Sequence, residues 1–179
     1  MKISISGTPA SGKSTVAKKV AEKLNLQHFS MGDFQREIAR EKGITIRELG
    51  LLETKDKSLD KMVDDKQVEI GRERENFVID SRLGCYFIPD SIKIFVDASE
   101  EVRARRRFLQ KRDEESFGDE KAALDDMNNR EEINRKRFID FYGFDFLDMD
   151  NYDLVVDTSE LDVEGAARKI VDFVSGENS

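Results

Sequence analysis

Short apolar strands separated by helical segments predict an α/β protein: a five-stranded parallel sheet with helices on both faces. Three observations carry this expectation. The 179 residues suit one domain with a substantial core. Strand-length apolar runs alternate with helix-length periodic ones from end to end. Two prolines, no repeat and no low-complexity tract leave nothing that marks a linker, so residues 1–179 are expected to form one domain.

In chain order, residues 2–6 read as a buried strand and 12–24 as a helix with Val16, Val20 and Leu24 on one face. Residues 27–29 give a second short strand and 31–42 a helix. Thr45 and Glu48 form a capping-box pattern that opens another helix. Residues 59–74 read as a long polar helix whose apolar positions Leu59, Met62, Val63 and Ile70 are spaced for one face. "NFVID" at 76–80 and "IKIFV" at 92–96 are strands. Helices at 100–111 and 121–141 follow, then a strand at 152–156 and a last helix at 163–174.

Hydrophobic and charged residues each make up 38% of the chain, which describes a folded protein with a densely ionic surface. A formal charge of -8 argues against a broad nucleic-acid footprint, because phosphate backbones need a basic face. A single cysteine, Cys85, excludes an internal disulfide, and the chain enters a strand without a charged leader. A cytoplasmic monomer is expected. No apolar run approaches the roughly 18 residues of a membrane span.

Residues 7–14, "GTPASGKS", satisfy GxxxxGK[ST] between a strand and a helix, the setting that phosphate-binding loop requires. Gly7 and Gly12 let the backbone wrap a β-phosphate, with Thr8, Pro9, Ala10, Ser11 and Thr15 completing the cradle at the helix N-terminus. Lys13 would reach the β- and γ-oxygens, and Ser14 would ligate Mg²⁺. Such a loop leaves GTPase, motor-like ATPase and small-molecule kinase open. The absence of an NKxD signature weighs against a GTPase.

Arginine narrows the choice. Arg36 follows the second strand and Arg82 the third, and ligands of doubly wound sheets bind at strand ends, so both should face a second anion beside the loop. A dense region carries Arg103, Arg105, Arg106, Arg107, Arg112, Arg130, Arg135 and Arg137. These residues suit phosphoryl transfer onto another phosphate. Such an acceptor is ionised near neutrality, its second pKa being about 6, so no strong base is needed. What remains is to align two anions and neutralise spreading charge, for which the forked guanidinium is suited. His28, the only histidine, reads as structural or partly exposed.

The segments "ISGTPASGKSTVAKKVAEKL", "FSMGDFQREIA", "KIFVDASEEVRARRR", "NREEINRKRF" and "YDLVVDTS" resemble the nucleoside-monophosphate kinases, most closely cytidylate kinases of the archaeal type. The resemblance extends over nearly the whole chain. It implies a core sheet, a monophosphate-binding insertion at about residues 31–66, a lid at about 103–137, ATP with Mg²⁺ as donor, and CMP or dCMP as acceptor. By position, it implies that Arg36 and Arg82 hold the acceptor phosphate, that Arg106 and Arg107 belong to the lid at the donor, and that Arg130 and Arg137 reach the transferring group.

Departures fall on the base-reading side. Leu83 and Met31 stand where bacterial members carry an aspartate and a serine, Lys66 precedes Gln67 in place of an arginine, and Asn134 replaces an acid. Ser30, Asp33, Lys66 and Gln67 are then the candidate readers of the acceptor, with Asp33 or a backbone carbonyl accepting from the cytosine amine. Asp33 could equally be a helix cap. Asp80 ends its strand where an acid can orient Mg²⁺ through water, or is a plain strand-end carboxylate. Arg103 and Arg105 could form a solvated helix face, Arg135 and Lys136 point to solvent, "FIDFYGFDFLDM" reads as a core plug, and Cys85 carries no chemistry. The alternatives are an adenylate kinase or other small P-loop kinase and, from another class, an ATP-sensing regulatory protein.

Overall fold

The computed structural model describes residues 1–110 and 117–176. Strands β1 (Lys2–Gly7), β2 (Gln27–Ser30), β3 (Phe77–Asp80), β4 (Ile92–Asp97) and β5 (Leu154–Asp157) form a parallel sheet in the order β2-β3-β1-β4-β5. Between and after them run α1 (Lys13–Leu24), α2 (Met31–Glu41), α3 (Ile46–Glu53), α4 (Lys57–Glu73), a single turn α5 (Gly84–Phe87), α6 (Glu100–Leu109), α7 (Glu120–Tyr142) and α8 (Val163–Ser175). The expected fold class is therefore found.

Strand alternation explains the layers. Ile3, Ile5, Val78, Ile94 and Val96 point to one face, where they pack on Val16, Val20, Ala167 and Ile170 of α1 and α8. On the opposite pleat Phe77 and Ile79 meet Ile38, Leu49, Val63 and Ile70 of α2, α3 and α4. Phe95 packs with Leu83, Phe138 and Phe146, so the tract at 138–149, which begins as the end of α7, contributes to the core as its composition suggests. Full burial of each such side chain contributes roughly 1.5–3 kcal/mol.

Register brings the site together. Ile5 of β1 and Ser30 of β2 both lie opposite Asp80, and Gly7 lies opposite Val96, so four carboxyl ends share one edge. Helix α4 crosses that edge. Its last turns are tied to the amino end of the sheet, where Lys2 Nζ donates to the Gly71 carbonyl at 2.8 Å. Gln67 accepts from Ser81 Oγ just beyond β3, and the half of α4 before Gln67 stands above the sheet against α2 and α3. Thr45 and Glu48 form the expected capping box, with reciprocal bonds of 3.2 and 2.8 Å.

Two expectations are corrected. Met62 is 46% exposed and does not share the buried face of α4. Arg103 is buried and pairs with Glu131 of α7 at 3.3 Å, where a solvated face was expected. Arg135 faces solvent as expected, its side chain 48% exposed, while its Nε donates to Asp145 at 3.0 Å and ties the end of α7 to the segment that follows. The end of the helix expected at 100–111, with Arg112 and the rest of the lid through residue 116, lies outside the described residues. No described helix is long and apolar enough to cross a membrane.

Candidate active site

The loop from β1 to α1 owes its shape to two glycines with different reasons. A Cβ on Gly7 would sit 2.2 Å from the Val96 carbonyl oxygen, so β4 passes too close for any side chain. Gly12 has open space but a φ of 89°, which favours glycine. Gly12 caps α1 without a side-chain bond, which leaves the first-turn N–H groups available to an anion. Side chains brace the loop from behind. Ser11 Oγ donates to the Thr8 carbonyl at 2.9 Å and Thr8 Oγ1 to Asp97 at 2.6 Å. Arg106 Nη1 donates to the Ser11 carbonyl at 3.1 Å and to Thr158 Oγ1 at 2.9 Å, and its Nη2 to the Thr158 carbonyl at 2.8 Å.

In front of the loop Lys13 Nζ donates to Asp80, a carboxylate only 1% exposed. Burial works against its ionisation, but the Lys13 ammonium and the Ser14 hydroxyl hold the Asp80 carboxyl below its ordinary value. The result is a buried, charged oxygen beside a hydroxyl at the first turn of a helix. Hard cations with a few protein oxygens suit such a pair. Among the described residues no group of three or more His, Cys, Asp and Glu is arranged to hold a metal by itself. Two oxygens that share a cation with substrate phosphates are what Mg²⁺ commonly uses.

A cleft of about 290 Å³ opens beyond Lys13, and Arg36, Arg82, Arg107, Arg130 and Arg137 all line it. They come from α2, the end of β3, α6 and α7, which explains why sequence distances of up to a hundred residues collapse onto one cavity. Arg82 lies at its floor. Burial and then the neighbouring Arg130 and Arg137 push its guanidinium down to about 10, still charged at neutrality. Several guanidinium groups held this close disfavour one another, so an anion between them is strongly favoured. Arg36 also donates to Asp33 on its own helix, and Arg107 stacks over Phe117 with 5.3 Å to the ring centroid.

The structure gathers Thr8, Pro9, Ala10, Gly12, Lys13, Ser14, Thr15, Gln67 and Asp80 into the same cleft. Gly7 and Ser11 support the loop from below. Four other predicted residues stay off the lining. The Arg106 guanidinium is taken up by Ser11 and Thr158 behind the loop. Ser30 caps α2 by accepting from the Asp33 N–H at 3.2 Å, Asp33 turns outward to Arg36, and Lys66 pairs with Glu69 at 2.9 Å on the outer face of α4.

Sequence reasoning missed an acidic group on the far wall. Asp60 and Asp64 of α4 line the cleft with Val63 and Gln67, a spacing of 3, 4 and 7 that places all four on one face. Glu53 accepts from Arg137 Nη1 at 2.9 Å and from Gln35 at 2.9 Å, and Tyr142 donates to Asp64 at 2.7 Å. Burial pushes the Asp60 carboxyl up to about 7 against the pull of Arg137, with Glu53 and Asp64 adding to the rise. Asp64 is pushed up to about 6, mainly by burial.

The sheet order, the braced loop and the arginine-lined cleft define a P-loop protein with the small-molecule kinase fold. The same fold is found in shikimate kinase from Bacteroides thetaiotaomicron, 16% identical with 98% of each chain covered and a TM-score of 0.68. The chain belongs to the cytidylate kinase-like family, whose model matches residues 2–160. It is 39% identical over 174 residues to the cytidylate kinase of Pyrobaculum islandicum, covering 96% of this chain and 91% of that one. To the cytidylate kinase of Methanocaldococcus jannaschii it is 39% identical over 171 residues, 92% of each chain.

Proposed function

We propose that this protein transfers the γ-phosphoryl group of ATP to CMP and dCMP. The observation that carries the reading is the convergence of five arginines on one cleft in front of a P-loop, in a chain whose relatives bear the name cytidylate kinase over nearly their full lengths. A nucleotide sensor would need the loop alone. Arginines on both walls supply a second phosphate site and a means of neutralising charge between the two.

In this reading Arg36 and Arg82 bind the acceptor phosphate on an insertion of about residues 31–66. The loop N–H groups and Lys13 bind the donor, and Arg107, Arg130 and Arg137 face the transferring group from a lid of about 103–137. Arg106 acts through the loop it braces, as a positioning residue, because its guanidinium is bound to Ser11 and Thr158. No side chain has to remove a proton from the acceptor, which is ionised already. Ser14 would hold Mg²⁺ directly and Asp80 through water; when bound, the ion supplies charge neutralisation on the phosphate oxygens. A cytoplasmic monomer fits the acidic chain and its lone, buried Cys85.

Steady-state turnover of CMP, dCMP, UMP and AMP with ATP and Mg²⁺ is the test. CMP and dCMP should exceed UMP in kcat/KM by at least about tenfold, equivalent to roughly 1.4 kcal/mol. AMP as the best acceptor would make the protein an adenylate kinase on this scaffold, and turnover of none would leave the nucleotide-sensing alternative.

A further inference from the structure

The acidic wall built by α3 and α4 sets three carboxyl groups around a single guanidinium. Three carboxyl groups, Glu53, Asp60 and Asp64, surround Arg137, and Glu53 alone bonds its Nη1. Asp64 has the Tyr142 hydroxyl. Asp60 is 5% exposed and lines the cleft, yet among the described residues its Oδ2 has no hydrogen-bond partner, lying 3.4 Å from an Arg137 Nε that also lacks one there. A buried carboxylate oxygen without a donor is costly, and the cost disappears when a ligand brings an N–H. Around it Ile46, Val63 and Phe138 offer apolar surface, and Gln67, its oxygen engaged by Ser81, presents an amide N–H₂.

This wall is set back from the phosphate end. Gln67 adjoins Ser81 and hence Arg82, and Asp60 lies seven residues earlier on the same helix, about 10 Å along its axis. An acceptor with its phosphate on Arg82 would extend its base along that face. We propose that Asp60, with Asp64 one turn further along, receives the exocyclic amine of the acceptor's base, and that α4 thereby separates an aminopyrimidine from an oxopyrimidine. This rests on the function proposed above. It moves the reading of the amine away from Asp33, whose side chain is 71% exposed and paired with Arg36. Cytosine brings two N–H donors to the carboxylate. At the position of that amine uracil brings the O4 lone pairs, which a carboxylate repels and only a protonated carboxyl can meet.

Because burial favours the proton on Asp60, discrimination should depend on pH. The charged groups that face it are Arg137 from α7, Glu53 from α3 and Asp64 from α4 itself. The experiment measures kcat/KM for CMP and UMP at pH 8 and pH 5.5 in the unaltered protein, Asp60→Asn and Asp64→Asn, with ATP affinity by calorimetry. Taking the CMP:UMP ratio cancels the titration of the acceptor phosphate. The ratio should fall at least tenfold in Asp60→Asn, whose amide donates to the uracil O4, and less in Asp64→Asn, with ATP affinity unchanged. In the unaltered protein it should be lower at pH 5.5 than at pH 8. Equal losses for CMP and UMP in Asp60→Asn would make the residue a mere counter-ion of Arg137 and overturn the inference while leaving the kinase reading intact. Should Asp60→Asn not fold, a ratio in the unaltered protein that stays level or rises toward acid overturns it. Absence of CMP turnover in the unaltered protein would defeat the proposed function and this inference together.

Discussion

Replacing Glu53 by Gln should destabilise the protein by about 3 kcal/mol at pH 7. The Glu53 and Arg137 side chains are 3% and 4% exposed and their atoms lie 2.9 Å apart. Removing one partner from such a pair costs roughly 3–5 kcal/mol, because the remaining charge stays buried. The lower end applies here, since Asp60 lies 3.4 Å from Arg137 and takes over part of its charge. Gln35 retains an acceptor in the new amide. At about 2–4 °C per kcal/mol for a chain of this size, the midpoint of thermal unfolding should drop by roughly 6–12 °C. Urea unfolding of Glu53→Gln, Arg137→Met and the double variant Glu53→Leu with Arg137→Met is the assay. The double should lose less than either single change, because it leaves no orphaned charge. A loss under about 1 kcal/mol in Glu53→Gln, or a double variant at the sum of the singles, would refute the reasoning.

Lys13→Ala should lower kcat by at least about a hundredfold, the loss of one preorganised contact to developing charge, and a kcat near the unaltered value in single-turnover assays would contradict the role of the loop. Arg36→Ala and Arg82→Ala should weaken CMP binding strongly and ATP binding little in calorimetry, and equal losses for both nucleotides would contradict the division into two phosphate sites. Asp60 binds its proton more tightly folded than unfolded, so its contribution to stability is present below pH 4 and is lost as pH rises toward 7; urea midpoints at pH 5, 6 and 7 should fall less steeply in Asp60→Asn, and parallel slopes would argue against the raised carboxyl. Gly7→Ala should unfold at a markedly lower temperature than the unaltered protein, because the new methyl would meet the Val96 carbonyl, and an unchanged midpoint would show that β4 gives way.

What the sequence discloses about this molecule is what depends on nearby residues. The loop at 7–14 is a local device and was legible in full, as were the strands, whose buried runs announce a sheet covered on both faces. The helix α5 escaped because four residues carry no period. Within its own helix Arg103 has Glu100 and Glu101 close by, but its partner Glu131 sits 28 residues away and only the packing of α6 on α7 brings it near. Lys66 and Gln67 are neighbours in sequence, yet one step along a helix turns a side chain by about 100°, and the structure sends one outward and the other inward. The stripe Asp60, Val63, Asp64 and Gln67 was present as a spacing. Nothing local marked it as a wall, since the facing wall is α7.

Arg106 and Thr158 have a bearing on how the protein is made. The P-loop is encoded in the first fourteen residues, but the Ser11 carbonyl accepts from a threonine 147 positions later and from an arginine 95 positions later. A ribosome adding about 5–20 residues per second needs roughly 7–30 s to travel from Ser11 to Thr158. For that interval the nascent chain carries the loop without the Thr158 hydroxyl behind it, and the last of the braces arrives only after the fifth strand.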